Sequence, residues 1–143
     1  MAEKKKKIST MDIVLVAVIV LGLVYYLYMK GYIFANFKNI TPKEAYELLN
    51  KEKDKIVLLD VRTPEEYQQD GHIKGAINIP VDKLGEEVER LKEYKNSKKI
   101  LVYCRSGHRS VVASRFLSNL GFDVYNIKGG INAWKAEGLP VEK

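Results

Sequence analysis

Apolar residues form one long uninterrupted stretch near the start of the chain. Residues 13–29 carry no charge and consist mostly of Val, Ile and Leu. A helix of this length reaches ~25 Å, which just spans the hydrocarbon core of a bilayer. Aromatic residues crowd its carboxyl end as in an interfacial belt, and Lys30 can extend from there to the headgroups. The pattern predicts a transmembrane helix over residues 13–30, with a basic cytoplasmic tail over residues 1–12 and a connector over residues 31–39.

A soluble core helix and a cleaved signal both fit this stretch less well than an anchor does. A buried core helix is disfavoured because the segment has no polar face to expose. A cleaved secretory signal fits the basic start, but no small-residue cleavage site follows, and Ile33-Phe34-Ala35 is a poor substitute. The lysines from Lys4 to Lys7 outweigh those just after the span, which favours a cytoplasmic N-terminus. We therefore expect a single-pass anchor in the cell membrane, with the remaining domain outside the cytoplasm.

Beyond the connector, the spacing of apolar residues alternates between two periods. Short apolar runs predict buried parallel strands over residues 56–61, 76–79, 100–103 and 124–127. Helical spacing separates these runs, and both Thr41-Pro42-Lys43-Glu44 and Thr63-Pro64-Glu65-Glu66 have the form of a helix start. The alternation predicts an α/β domain over residues 40–143, a parallel sheet with helices on both faces. In such sheets, ligands bind at the carboxyl ends of the strands.

Charge and composition limit the classes of partner. The net charge is +6, but residues 1–38 contribute six lysines and two acids, and the remainder carries 18 basic and 16 acidic residues. Most of the excess therefore belongs to the anchor region, and we predict no nucleic-acid surface. One cysteine and two separated histidines do not supply a metal-ligand set, so we expect no metal site.

Cys104 is the only cysteine and the main candidate for chemistry. It directly follows a predicted strand and precedes a basic loop, residues 105–110, that opens a predicted helix. Backbone N–H groups and a helix dipole at such a position favour a thiolate. A lone cysteine is often a small buried hydrophobe, but the polar, basic loop here favours a reactive thiol. Asp60 and Arg62 follow another strand and are expected at the same edge of the sheet.

Four sequence blocks, in this order, resemble the rhodanese (sulfurtransferase) family. They cover the chain from about residue 40 to residue 140. The blocks are LLDVRTPEEY at 58–67, GHIKGAINIP at 71–80, VYCRSGHRS at 102–110, and GGINAW at 129–134 followed by GLP at 138–140.

The resemblance implies a single-domain sulfurtransferase with no cofactor. Cys104 would take a sulfane sulfur from a small anion such as thiosulfate, hold it as a persulfide and pass it to a thiol or to cyanide. A thioredoxin-like reductant is a further candidate partner. Asp60 and Arg62 would brace the loops, and the residues that bind the substrate or persulfide would be Arg105, Ser106, Gly107, His108 and Arg109. Arg105 and Arg109 are also suited to the sulfonate end of thiosulfate.

Three alternatives remain open. One type of dual-specificity phosphatase shares the rhodanese fold, but the loop of these enzymes has an arginine after five residues beyond the cysteine. That position here is Ser110, so the arginine falls one place early and a sulfur-sized pocket is favoured. A membrane-tethered binding module without catalysis is disfavoured by the presence of Cys104. A dedicated persulfide carrier that serves one protein partner fits the same residues.

Overall fold

In the computed structural model, residues 6–143 are described, and Lys4 and Lys5 of the predicted basic tail lie outside them. The first helix, α1, runs from Thr10–Met29 and begins with a capping box between Ser9 and Asp12. None of its residues is buried against the rest of the protein. It is long and apolar enough to cross a membrane, a property that secretory signals share. The extent of the predicted span, residues 13–30, and its role as an anchor stay predictions.

The domain contains a five-stranded parallel sheet, which confirms the predicted α/β class. Its strands lie in the order β1-β5-β4-β2-β3. Their bounds are β1 Lys38–Ile40, β2 Ile56–Asp60, β3 Ile77–Asn78, β4 Lys99–Tyr103 and β5 Asp123–Ile127. The four longer apolar runs all correspond to strands, and β4 occupies the centre of the sheet. Central parallel strands are covered on both faces, which explains why their sequences are continuously apolar.

Strand β1 lies partly within the predicted connector of residues 31–39. Its three residues pair in parallel with β5, where Lys38 is opposite Tyr125 and Ile40 is opposite Ile127. A segment this short has no recognisable period. Pairing with a distant strand, rather than local sequence, therefore makes it a strand.

Helices cover both faces of the sheet. After α1 they are α2 Pro42–Lys51, α3 Pro64–Gln69, α4 Leu84–Glu87, α5 His108–Asn119 and α6 Gly130–Ala136. The helical spacing of charged and apolar residues over 82–94 predicts one helix there, but α4 is a single turn between two 3₁₀ segments, Val81–Lys83 and Val88–Tyr94. Leu84 and Leu91 are both buried there. Packing of these side chains onto the sheet replaces regular helical geometry with tighter turns.

Two apolar cores fix the position of β4 and therefore of the residue after it. On one face, Val102 packs in a cluster with Ala113 and Leu117 of α5. On the other face, Leu101 packs in a cluster with Trp134 of α6. Since both neighbouring helices are held against β4, the loop that joins β4 to α5 is anchored at its two ends.

The end of α1 is attached to the domain through Arg115 of α5. The guanidinium donates hydrogen bonds to the carbonyl oxygens of Tyr28, Ile33 and Phe34, and its centre lies 3.8 Å from the Tyr28 ring centroid. The Asn39 side chain donates to the carbonyl oxygen of Gly31 at 3.0 Å. These contacts hold the carboxyl end of α1 beside the helix that starts at the Cys104 loop (residues 104–110).

Candidate active site

Cys104 directly follows the central strand β4. Only 1% of the residue is exposed. Its Sγ accepts a hydrogen bond from the Gly107 N–H at 3.1 Å and lies 3.4 Å from the Ser110 Oγ. The sulfur is therefore enclosed by its own loop, with a backbone donor already directed at it.

The loop turns into α5 at Gly107. This residue has φ +109°, a left-handed conformation that side chains disfavour, and it precedes the first residue of the helix. The first turn of α5 contains no acidic residue. The partial positive charge of the helix start is therefore not neutralised by its own side chains. This arrangement stabilises negative charge on a sulfur within the loop.

The start of α6 supports the Cys104 loop from behind. The Ile131 N–H donates to the carbonyl oxygen of Cys104 at 2.9 Å, and the Asn132 N–H donates to that of Arg105 at 3.1 Å. A Cβ on Gly130 would lie 2.6 Å from the Arg105 oxygen and nearer still to the Cys104 oxygen. Only glycine leaves space for this approach. The Gly129-Gly130 pair belongs to one of the sequence blocks that resemble the rhodanese family, but its contact with the Cys104 loop could not be predicted from the sequence.

Asp60 and Arg62 form a fully buried ion pair beside the loop. The guanidinium donates to both carboxylate oxygens, the shortest distance being 2.8 Å, and to the carbonyl oxygen of Gly71 at 2.7 Å. Burial by itself lowers the pKa of Arg62, but the hydrogen bonds and charge of Asp60 outweigh burial and raise it. The pair links the end of β2 to the segment at Gly71. Its effect on the Cys104 loop stays a prediction.

Arg109 is engaged by Glu66, a residue that the sequence did not mark as part of the site. Two nearly parallel hydrogen bonds join them, at 2.7 and 2.9 Å. The hydrogen bond from Arg109 is the main cause that lowers the pKa of Glu66 to about 2, with a contribution from the Thr63 N–H. The same carboxylate completes the capping box of α3. The sequence predicted that Glu66 caps a helix, whereas its pairing with Arg109 is seen only in the folded structure.

The remaining loop residues lie at the surface. Arg105, Ser106 and His108 are exposed, and the Arg105 guanidinium lies 3.9 Å from the Asp70 carboxylate. An exposed pair at this distance holds the side chain only weakly, so Arg105 can turn towards an incoming anion.

Within residues 6–143, no group of three His, Cys, Asp or Glu side chains is placed to hold a metal ion.

The site thus combines an enclosed thiol, a backbone amide that donates to its sulfur, and an exposed arginine in the same loop. This set can perform nucleophilic chemistry on sulfur, because a thiolate attacks and a backbone N–H stabilises the anion that forms. The position at which a related phosphatase loop carries its arginine is occupied by Ser110, which is buried against the sulfur. The substrate-binding roles of residues 105–109 stay predictions.

Comparison with known proteins assigns the family. The model of the rhodanese-like domain matches residues 41–137. Thiosulfate sulfurtransferase GlpE of Coxiella burnetii is 37% identical over 101 residues, which cover 70% of this chain and 89% of that protein. The HTH-type transcriptional regulator Rv0324 of Mycobacterium tuberculosis is 38% identical over 109 residues, 72% of this chain, which spans about half (46%) of the regulator's length.

A solved structure agrees with the sequence relatives. The rhodanese-related protein of Thermoplasma volcanium superposes with a TM-score of 0.66 at 37% identity, and the match covers 74% of this chain and 98% of that one. The residues that match the family, 41–137, contain strands β2 to β5 and the buried Cys104. Relatives named thiosulfate sulfurtransferases confirm the predicted kind of enzyme. This chain belongs to the rhodanese-like domain family.

Proposed function

We propose that the protein is a membrane-anchored sulfurtransferase that moves a sulfane sulfur from a thiosulfate-type donor to a thiol or to cyanide. The observation that carries this proposal is the enclosure of the Cys104 sulfur by its loop, with the Gly107 N–H donating to it at 3.1 Å. The name of the Coxiella burnetii relative supports thiosulfate as the class of donor.

In the first half-reaction, the Cys104 thiolate attacks the outer sulfur of the donor. A new S–S bond forms at Cys104 while the S–S bond of thiosulfate breaks, and its electron pair leaves with sulfite. The loop amides stabilise the terminal sulfur of the persulfide as an anion. Arg105 is exposed and free to bind the departing sulfonate group. Arg109 is already paired with Glu66, so its part is to fix the loop and to supply positive charge.

In the second half-reaction, an acceptor thiolate attacks the terminal sulfur of the persulfide. The S–S bond to Cys104 breaks, its electron pair returns to the Cys104 sulfur, and the acceptor leaves as a persulfide. The Ser110 Oγ lies 3.4 Å from the sulfur and accepts a hydrogen bond from the Cys104 thiol, and when the thiolate is regenerated the hydroxyl can rotate to donate to it. No net oxidant or reductant is consumed in this cycle.

Persulfide formation is the decisive test. The full chain in detergent is incubated with thiosulfate and its intact mass is measured, with Cys104→Ser as the control. We expect a gain of one sulfur mass that Cys104→Ser abolishes, and release of that sulfur by cyanide or a small thiol. Loading without release to small acceptors would indicate a dedicated carrier, and no adduct with any sulfane donor would indicate a binding module. Faster turnover of an aryl phosphate than of thiosulfate would indicate a phosphatase.

The proposal includes the location of the domain. Residues 10–26 of helix α1 are all exposed, and an apolar helix of 20 residues is stable in contact with lipid. We place residues 13–30 in the cell membrane as a single-pass anchor, with the N-terminus in the cytoplasm and the domain outside. Protease added to spheroplasts should remove the domain. Complete protection of the domain in sealed spheroplasts would contradict this orientation.

A further inference from the structure

The end of α1 and the chain that follows it run alongside α5, in the same direction as that helix. In four pairs of neighbours, each later residue of this stretch lies beside a later residue of α5 or of its cap: Tyr26 beside Gly107, Gly31 beside Val111, Phe34 beside Arg115, and Asn36 beside Asn119. Helix α1 is continuous over Thr10–Met29. Followed back towards its start, it therefore passes the beginning of α5 and projects beyond it.

The edge of the sheet from which α1 projects is the edge that carries the Cys104 loop. Helix α5 begins directly after that loop, beyond the carboxyl end of β4. Residues 10–26 of α1 are all exposed, as expected for a helix that leads away from the domain. The proposed function places residues 13–30 in the bilayer. The carboxyl edge of the sheet, with the loop on it, therefore faces the membrane.

The Cys104 loop lies level with the carboxyl end of α1. Tyr26 and Lys30 line one side of a cavity of about 230 Å³. Ser106 and Gly107 of the loop line the other side. The Lys30 ammonium is 6.0 Å from the centroid of the Tyr26 ring, so the two groups share one level. Tyrosine rings and lysine ammonium groups at the end of a transmembrane helix sit among the lipid headgroups. This places the loop beside the headgroup layer.

The charge of this edge suits an anionic membrane surface. Lys128 also lines the cavity, and its ammonium lies 5.2 Å from the centroid of the Tyr32 ring. Both Lys30 and Lys128 are exposed, so their ammonium groups are open to lipid phosphates. The carboxylate of Glu66 at the same edge is already offset by Arg109. Each basic side chain near an anionic membrane surface strengthens the attraction to that surface.

We propose that the carboxyl edge of the sheet docks on anionic lipid headgroups of the membrane that α1 spans, with Lys30 and Lys128 on the lipid phosphates. The inference rests on the proposed function, since it takes α1 as the anchor, and it adds the orientation of the domain. Cys104 then works at the membrane surface, where a thiol carried in the headgroup layer can reach its persulfide.

Fluorescence quenching by lipid-bound nitroxides measures this orientation. The full chain with Cys104→Ser is reconstituted in nanodiscs of phosphatidylcholine and phosphatidylglycerol, and one introduced cysteine at a time is labelled with the same fluorophore. Ser106→Cys and Ser97→Cys form a matched pair, because both serines are exposed and lie beyond opposite ends of β4. The five residues of β4 separate the two labels by ~16 Å or more. Val20→Cys reports on the middle of α1.

The three labels separate the orientation from the anchor. A nitroxide on the lipid headgroup should quench the label at position 106 several-fold more than the label at position 97. A nitroxide in the middle of the acyl chain should quench the label at position 20 most strongly. Equal headgroup quenching at positions 106 and 97, or stronger quenching at position 97, would overturn the docking surface. Absence of acyl-chain quenching at position 20 would refute the anchor of the proposed function, and the docking surface with it.

A second measurement reads the orientation through sulfur transfer. Protein loaded with thiosulfate in the same nanodiscs is given either a phospholipid whose headgroup ends in a thiol or 2-mercaptoethanol in solution. Arg115→Ala frees the end of α1 and should slow transfer to the lipid thiol several-fold without changing transfer to 2-mercaptoethanol. Arg90→Ala, an exposed change on the segment Val88–Tyr94, is the control and should alter neither rate.

An equal effect of Arg115→Ala on the two thiols, or no effect on either, would overturn the proposal. Failure to load with thiosulfate would refute the sulfur chemistry of the proposed function, whereas the quenching result decides the orientation by itself.

Discussion

Replacing Gly130 by alanine tests whether the start of α6 shapes the Cys104 loop. Gly130 has φ +63°, and an added Cβ would overlap the carbonyl oxygens of Cys104 and Arg105. Gly138 offers a matched control, because its φ is +73° and its added Cβ would have no atom within 4 Å. Both substitutions impose the same backbone strain, but only Gly130→Ala pushes against the loop.

The two substitutions should differ clearly in stability. Gly138→Ala should cost about 1–2 kcal/mol, the strain of a left-handed residue that has a Cβ. Gly130→Ala adds the steric overlap, about 1–3 kcal/mol. It also weakens the two hydrogen bonds from the Ile131 and Asn132 N–H groups, each worth about 0.5–1.5 kcal/mol. We therefore expect Gly130→Ala to be the more destabilising by about 2–6 kcal/mol.

Urea unfolding in detergent, followed by tryptophan fluorescence, measures this difference. Trp134 is the only tryptophan and is 1% exposed, so the signal reports the domain without interference from α1. Persulfide loading is measured on the same samples under conditions where each variant is folded. Gly130→Ala should load more slowly than Gly138→Ala. Equal losses of stability and equal loading rates in the two variants would refute the argument that α6 positions the loop.

Three further changes test the contacts around the site. Arg62→Ala leaves the buried carboxylate of Asp60 without its partner and should cost about 3–5 kcal/mol in the same unfolding assay; a loss below about 1 kcal/mol would contradict a structural role. Glu66→Gln removes the pairing with Arg109. The pKa of Glu66 is about 2 in the folded protein and 4.5 without its partners. The free energy of unfolding of wild type should therefore exceed that of Glu66→Gln by a constant amount above about pH 5, and the excess should shrink as the pH falls towards 2. An excess that grows on acidification would refute the pairing of Glu66 with Arg109. Arg115→Ala releases the segment after α1, so trypsin should cut that segment several-fold faster, while persulfide loading is unchanged. An unaltered cleavage rate would show that the guanidinium does not hold the segment.

The elements visible in the sequence are those with a local signal. Patterns of residues a few positions apart predict three features: the apolar helix α1, the strands β2 to β5, and the position of Cys104 after β4. Burial on both faces makes a parallel strand a continuous apolar run, so its pattern survives without knowledge of its neighbours. By contrast, β1 has three residues, too few to show a period. The segment 82–94 is mostly 3₁₀ helix rather than α-helix, because Leu84 and Leu91 pack against the sheet.

The sequence by itself determined the α/β class, the family resemblance and the identity of the candidate nucleophile, because each depends on short motifs in order along the chain. Only the tertiary structure decided which side chains meet. Glu66 reaches Arg109 across 43 positions, and Asn126 reaches Asn39 across 87. The second pair depends on the alignment of β1 with β5, and the first on the position of α3 beside the start of α5, and no local pattern encodes either. The cavity beside the Cys104 loop arises in the same way, from three segments that are distant in sequence and adjacent in the fold.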